Sequence, residues 1–498
     1  MANKQRLIFF ITAFAVLLLP WLIQVALTPE GYVPTGHLLG YEDYLTFIAK
    51  MKWGEQGHWT YINRFTTEPT EPAPIYFFYL LLGHIARLTG LSLLWVFHLA
   101  RSVLGALCLL FWWEFCRKHV RHPVVAFLIG IFASFGYVKP GSSLFFHQMY
   151  VQGHAAYTCL LGFTHYTIDF MAILALFEAY LSMRHWLAVL AGIGLSMVHP
   201  FLLILFPVII LVHALMFRRE YLKDAITVAL LAGVGALPFA LPMYLAYQKI
   251  EWLKIWREQT YYPMPWHLIL FRLVLSFGLA GIIAWARIPW VMRRDKALDE
   301  VLRCRMVEKV SGIWMVLAAL LVIFAPLPNR REFGFFLSLP IGVLAAPWLV
   351  EFSERITTTK RNYMLPVLVL LCTFYGMAVV PLLCVPDTTS YHSDQMVEGL
   401  KWLEANSNPE DGVICTWMSG IFIPVYIEHP RPWVAHVAET INYDEKVEKV
   451  RQYFLRDGKA DIPLKWAVLV KQVDKDVPRL SWEPVYENDE IVIWENKN

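Results

Sequence analysis

The sequence predicts an α-helical polytopic membrane protein of about 11 transmembrane helices, with a large first outer loop and a small C-terminal α/β soluble domain. Three observations predict it. Apolar runs recur from residue 7 to residue 385, separated by short polar loops. Of the 498 residues, 57% are hydrophobic and only 17% are charged, against about 25% charged in soluble domains. After residue 386 the long apolar runs stop and charged residues become denser. With a mean hydropathy of +0.47, the chain carries more apolar surface than a soluble core hides, so lipid is the solvent for most of it. The net charge of +3 argues against nucleic acid as a partner. The 20 Trp and 23 Tyr suit a protein with much surface at headgroup level.

The apolar runs fall near 7–27, 93–116, 123–138, 166–183, 186–199, 201–217, 225–247, 266–288, 310–327, 335–351 and 363–385. The first follows Lys4 and Arg6, is longer than a signal-peptide core and lacks a small-residue cleavage site, so it reads as a retained anchor. The 186–217 stretch breaks at His199-Pro200, because proline cannot continue a helix without losing a hydrogen bond. Loop charge orients the set. With the N-terminus in the cytoplasm, inner loops hold Arg117, Lys118 and Arg121, then Arg184, then Arg218, Arg219 and Lys223, then the 293–309 cluster, then Arg355, Lys360 and Arg361. Outer loops hold few cations, as the positive-inside rule requires. This places residues 28–92 and the tail outside the cytoplasm.

The 28–92 loop is too long for a connector. Within it, Leu45, Ile48, Ala49 and Lys52 recur at helical spacing, so 42–55 reads as a surface helix ended by Gly54 and Gly57. The 74–90 segment carries His84 and Arg87 and reads as a second helix lying along the membrane surface. The domains are therefore 1–385, membrane-embedded, and 386–498, extracytoplasmic. In the tail, helices fit 393–405 (Ser393 as N-cap) and 443–456. Strands fit 412–416, 422–427, 433–437 and 466–470, and a hairpin fits 484–495 around Asn488-Asp489. The seven cysteines form no CxxC pair and read as small buried hydrophobes.

Several polar residues stand where chemistry is plausible. Glu42 and Asp43 open the first surface helix. Acids there stabilise the helix dipole, and a carboxylate there also serves as a base toward an acceptor or as a cation ligand. Asp169 lies on an apolar span, where a carboxylate is costly and points to function. His165, four residues earlier, shares its helix face, a pairing able to ligate a metal or position an acceptor. Lys139, His147, His154 and His165 fall in or beside the preceding outer loop and suit phosphate. Arg330 and Arg331 break the positive-inside pattern, and two guanidiniums at a membrane edge suit a lipid phosphate. His199 is a further lining residue, and Arg64 and Glu68 of the first loop are placed to face the same cavity. Glu178, nearer the inner end of its span, reads as snorkelling.

The stretches GYEDYLTFIAKMKWGEQGHW, RFTTEPTEPAPIYFFYLLLGHIARLTGLSLLWVFHLAR, PNRREFGFFLSLPIGVLAA and GIFIPVYIEHPRPWVAHVAET resemble bacterial members of the GT-C superfamily of integral membrane glycosyltransferases, of the type that uses polyprenyl-phosphate sugars. The shared pattern covers roughly residues 1–385: an early acid in a juxtamembrane helix, a second such helix, then an acid near the fourth span. The resemblance implies an inverting enzyme that moves a sugar from a polyprenyl-phosphate donor to a glycan, lipid or protein acceptor at the outer face. It implies Asp43 or Glu42 as base, and Asp169 holding the acceptor or, with Asp43, a divalent cation (Mg or Mn). Arg330 and Arg331 would lie against the departing phosphate. The chain lacks a WWDYG-type signature, which argues against N-glycosylation. Two other readings stay open: a transporter or flippase of lipid-linked sugars, and a non-catalytic lipid-binding scaffold.

Overall fold

The computed structural model describes residues 3–134, 156–259, 273–293, 299–325, 330–356, 363–383, 385–459 and 462–496, together with residues 269 and 327. The chain is mostly helical. The helices are α1 (Asn3–Ala26), α2 (Tyr41–Glu55), α3 (Phe77–Thr89), α4 (Leu93–His119), α5 (Pro123–Phe132), α6 (Ala156–Leu161), α7 (Thr164–Leu181), α8 (Trp186–Val198), α9 (Leu202–Phe217), α10 (Leu222–Lys249), α11 (Glu251–Gln259), α12 (Gly278–Val291), α13 (Asp299–Phe324), α14 (Ser338–Ile356), α15 (Met364–Leu383), α16 (Asp394–Asn406), α17 (Trp417–Tyr426) and α18 (Tyr443–Leu455). Among the described residues, 5 helical segments are long and apolar enough to cross a bilayer: Asn3–Ala26, Leu93–His119, Arg219–Lys249, Cys304–Phe324 and Arg330–Ile356. Shorter apolar helices accompany them. This is the pattern of a helical membrane protein.

The chain divides into two compact units. The first holds residues 1–19, 99–242 and 262–384, and the second holds 20–98, 243–261 and 385–498.

In the first unit, α10 shows why lipid is needed. Leu230, Val234, Leu237 and Leu241 are 65%, 58%, 55% and 49% exposed, at the spacing of one helix face. Its other face buries Ala225, Val228 and Ala232. Against that face α8 packs closely, because a Cβ on Gly192 would strike the Ala232 carbonyl. Small residues at such a crossing are how membrane helices gain contact without a hydrophobic drive. The chain breaks between α8 and α9 at His199-Pro200, as the proline predicts. Glu178 does not snorkel alone: it accepts from Lys118 and lies 2.7 Å from His119 Nε2. An acid facing two basic side chains has a partner and no need to reach for water.

In the second unit, the first loop and the tail are joined by strands. β1 (Tyr32–Pro34) pairs antiparallel with β2 (Tyr391–Ser393). A five-stranded sheet has the order β4 (Arg431–Pro432), β3 (Gly412–Ile414), β5 (Trp466–Val470), β7 (Ile491–Glu495), β6 (Tyr486–Glu487). β3 runs parallel to β4 and β5, while β7 is antiparallel to β5 and β6. Ser393 caps α16 by accepting the Gln395 N–H at 3.2 Å. Two expected strands are absent. Residues 422–426 belong to helix α17, with Ile427 as its C-cap, and its Thr416 N-cap accepts the Ser419 N–H at 3.2 Å. Residues 433–437 run into a turn in which the N–H groups of Glu439 and Thr440 both return to the His436 carbonyl. Gly54 does not end α2; it lies inside the helix, where a side chain would collide with the Leu80 backbone of α3. The described cysteines are free, and all but Cys304 are buried.

Candidate functional site

Helix α2 begins after Gly40, whose left-handed backbone (φ 67°) suits glycine and brings no side-chain cap to the helix. Glu42 and Asp43 occupy the first turn, where negative charge meets the helix dipole. Their surroundings differ. Asp43 is 38% exposed, and its Oδ1 lies 3.3 Å from Nε2 of His436, itself 8% exposed. His436 Nδ1 accepts the Ala438 N–H at 3.2 Å. A ring nitrogen that accepts carries no proton, so the proton sits on Nε2 and faces Asp43. Burial pushes the Glu42 carboxyl above its ordinary range; His436 opposes that shift and neighbouring Asp43 adds to it. The pair is thus split into an acid that holds its proton more tightly and a carboxylate turned toward a donor and water, the environment-driven division that acid–base chemistry uses.

The loop carrying His436 is held on every side. Lys50 of α2 binds Glu439 Oε1 at 2.8 Å, both side chains being buried. The Tyr76 hydroxyl donates to the same oxygen at 3.0 Å, and the Lys50 ammonium stands 3.8 Å over the Tyr76 ring. Asn63 donates to the Glu439 carbonyl at 2.6 Å, and Thr440 Oγ1 donates to the Phe65 carbonyl at 2.9 Å. Breaking one side of such a buried pair costs about 3–5 kcal/mol. Glu68 is tied to Lys446 and Thr66. Arg64 instead packs over Trp53 and lines a small cleft with Lys52.

The first unit holds the other candidates. Asp169, on α7, is fully buried. Its partner is His199, whose Nδ1 lies 2.5 Å from Oδ2; the expected pairing with His165 gives way to a contact across the α8–α9 break. His165 stacks obliquely beside His199, ring centres 5.5 Å apart. Among the described residues, Asp169 Oδ1 has no hydrogen-bond partner, and neither has Glu332 Oε2. Glu332 lies within electrostatic reach of His199, Arg331 and Asp169. The Arg330 guanidinium donates one N–H to the Ile323 carbonyl at 3.1 Å, near the end of α13. Lys139, His147 and His154 lie outside the described residues.

Sequence reasoning missed three residues. Lys50 gave no signal, and His436 stood only inside the HVAET stretch of the family-like tail segment, with no role, since its partner lies far along the chain. Glu332 was findable, as an acid adjoining the Arg330-Arg331 pair in an apolar stretch. Among the described residues no three His, Cys, Asp or Glu side chains converge in a way that holds a metal ion. No family model matches the chain, and no curated protein matches it.

Proposed function

We propose that this chain is a membrane glycosyltransferase of the GT-C type, which moves a sugar from a polyprenyl-phosphate donor to an acceptor at the outer membrane face. The observation that carries the reading is Asp43: an accessible carboxylate at a helix start, faced by a buried imidazole N–H, beside a second acid driven toward its protonated form. In the proposed step Asp43 takes the proton of an acceptor hydroxyl or amine. The freed electron pair attacks the anomeric carbon, the bond from that carbon to the phosphate oxygen breaks, and polyprenyl phosphate leaves with its electron pair, inverting the sugar. Asp169, Arg330 and Arg331 belong to the same proposal as acceptor- and phosphate-binding groups, as does a divalent cation, each to be tested residue by residue.

A membrane-bound donor requires chemistry at the lipid boundary, and α3 suits that boundary. Its 13 residues span only about 20 Å, short of the roughly 30 Å hydrocarbon core. Leu81, Ile85 and Leu88 expose one apolar stripe on it, as a helix lying in the interface does. The same reading has eleven crossings, a cytoplasmic N-terminus, and the 28–92 loop and tail outside.

The test uses the full chain in nanodiscs with radiolabelled polyprenyl-phosphate sugar and a panel of acceptors. Asp43→Asn is expected to abolish transfer while the protein elutes as wild type. Undiminished turnover in both Asp43→Asn and Glu42→Gln would sink the proposal. Movement of the lipid-linked sugar between leaflets without transfer would favour a flippase instead.

A further inference from the structure

Helix α2 opens without a side-chain cap, since Gly40 has none to offer. The first turn, which carries Glu42 and Asp43, is held from another direction. Its first residue is Tyr41, whose hydroxyl lies 2.5 Å from Nε2 of His392 on β2. Nδ1 of the same ring lies 2.5 Å from the hydroxyl of Tyr426, the last residue of α17. We propose that Tyr41, His392 and Tyr426 form a hydrogen-bond relay that positions Asp43 for the transfer step, with Tyr41 and His392 as positioning residues. This deepens the transferase reading and rests on it for the step that Asp43 performs. Every group named lies in the second unit.

Proton counting gives the relay one preferred arrangement. His392 is 2% exposed, and burial lowers it to about 3, so the ring is neutral in ordinary buffers. A neutral imidazole has one N–H and one lone pair. One tyrosine therefore donates to the ring, and the other accepts from it and keeps its own hydrogen. The surroundings choose between the two. Glu42 and Asp387 lie within electrostatic reach of the Tyr41 hydroxyl; among the described residues no acid stands so toward Tyr426. The spare hydroxyl hydrogen is best placed near the carboxylates, on Tyr41. His392 then donates Nε2–H to Tyr41 and accepts from Tyr426 at Nδ1.

The relay has fixed supports. β2 pairs with β1, with His392 opposite Val33. The Phe422 ring packs 4.7 Å from the imidazole. His37 meets the Tyr41 ring edge-on at 4.9 Å and is itself bonded to Thr35 and Thr389. The tail thus grips the start of α2 at two points, through His392 at Tyr41 and through His436 at Asp43. A general base is effective only while it is held in reach of the proton it takes.

The experiment uses the full chain in nanodiscs and reads sugar transfer together with amide hydrogen exchange. Tyr41→Phe keeps the ring and removes the hydroxyl. It should lower kcat about tenfold, the scale of one lost orienting bond, with KM for the polyprenyl-phosphate donor unchanged. His392→Leu should do the same. The double variant should be no worse than His392→Leu, because both substitutions remove one interaction. Exchange at residues 44–46 should rise in all three. Phe422→Leu is the control: it loosens the same packing, and should lower the unfolding midpoint while kcat and that exchange stay as in wild type. Losses that multiply in the double variant, a kcat that follows the unfolding midpoint through Phe422→Leu, or unchanged exchange at 44–46 in Tyr41→Phe would each overturn the proposal. If His392→Leu fails to fold, Tyr41→Phe and Tyr426→Phe form the cycle instead. A wild-type chain that transfers no sugar sinks the transferase reading by itself, and the exchange result still decides whether the relay holds the turn.

Discussion

Asp43 and Asp169 are both acids beside a histidine, and their surroundings are opposite. Asp43 stands more than a third exposed, and its imidazole neighbour is pinned by backbone. Asp169 is wholly enclosed, with His199 at 2.5 Å and phenylalanine and tyrosine rings around that histidine. A carboxylate open to water exchanges protons with a dissolved acceptor on every encounter. An enclosed one does so only after local opening, and its pairing is worth most as structure. The difference gives the two acids different places in the proposed step: the accessible one suits a base, and the enclosed one suits a group that holds its neighbours in position. Access decides between them.

The sharpest way to break this contrast is to neutralise each acid in turn. Asp43→Asn should lower the transfer rate by about 10²–10⁴-fold, the usual contribution of a general base, with no change in thermal unfolding. Asp169→Ala should do the reverse first: it strands a buried imidazole and should destabilise the chain by about 1–3 kcal/mol, read from unfolding in detergent. Unchanged stability in Asp169→Ala would show that the enclosed pair does not hold its helices together.

A second substitution sharpens the comparison from the other side. Glu439→Ala removes the partner of buried Lys50 and should cost about 3–5 kcal/mol. It should also release the 436–440 loop to protease before global unfolding. Intact resistance at those residues would show that the pair does not hold the loop.

These sites were unevenly legible. The acid pair could be read because it follows a glycine and opens an amphipathic run, all local signals. Helix α18, strand β5 and the Asn488-Asp489 hairpin were equally local and appear where expected. Residues 422–427 misled because FIPVYI is rich in the aromatic and β-branched groups that strands favour. Yet they continue a helix that Thr416 caps, and burial of that helix outweighs the propensity. His436 lay inside the HVAET stretch, but its role was hidden for a different reason. Its role exists only because Lys50 and Glu439, 389 positions apart, meet in a buried pair, and no window of sequence contains both.

Acid should loosen the second unit. His37 and His392 lie behind α2, where burial lowers them to about 4 and about 3. His37 bonds Thr35 and Thr389 and faces Asp387, while His392 lies between the Tyr41 and Tyr426 hydroxyls, 2.5 Å from each. Their ordinary value is 6.5, so below that pH the unfolded chain binds protons that the folded chain refuses. Stability therefore falls as pH drops from 6.5 toward 4. Asp387, held low by its Thr389 and Ser390 bonds against the opposing effect of burial, acts in the same sense. Unfolding midpoints measured from pH 7 to pH 5 should decline, and the double variant His37→Gln/His392→Gln should flatten that decline. An unchanged slope would exclude these imidazoles as its cause.

The smallest expected effect concerns His436, and it tests how Asp43 is held. The Ala438 N–H occupies Nδ1, so the ring can only present Nε2–H to the carboxylate. A glutamine reaches the same place with an amide N–H; an alanine does not. His436→Ala should therefore lower kcat about tenfold, the scale of one lost orienting bond, with KM for the polyprenyl-phosphate donor unchanged. His436→Gln should recover most of that loss. A merely structural histidine would give two equally impaired variants, or would move KM along with kcat. Recovery by glutamine alone, confined to kcat, is the pattern that only a donor aimed at Asp43 produces.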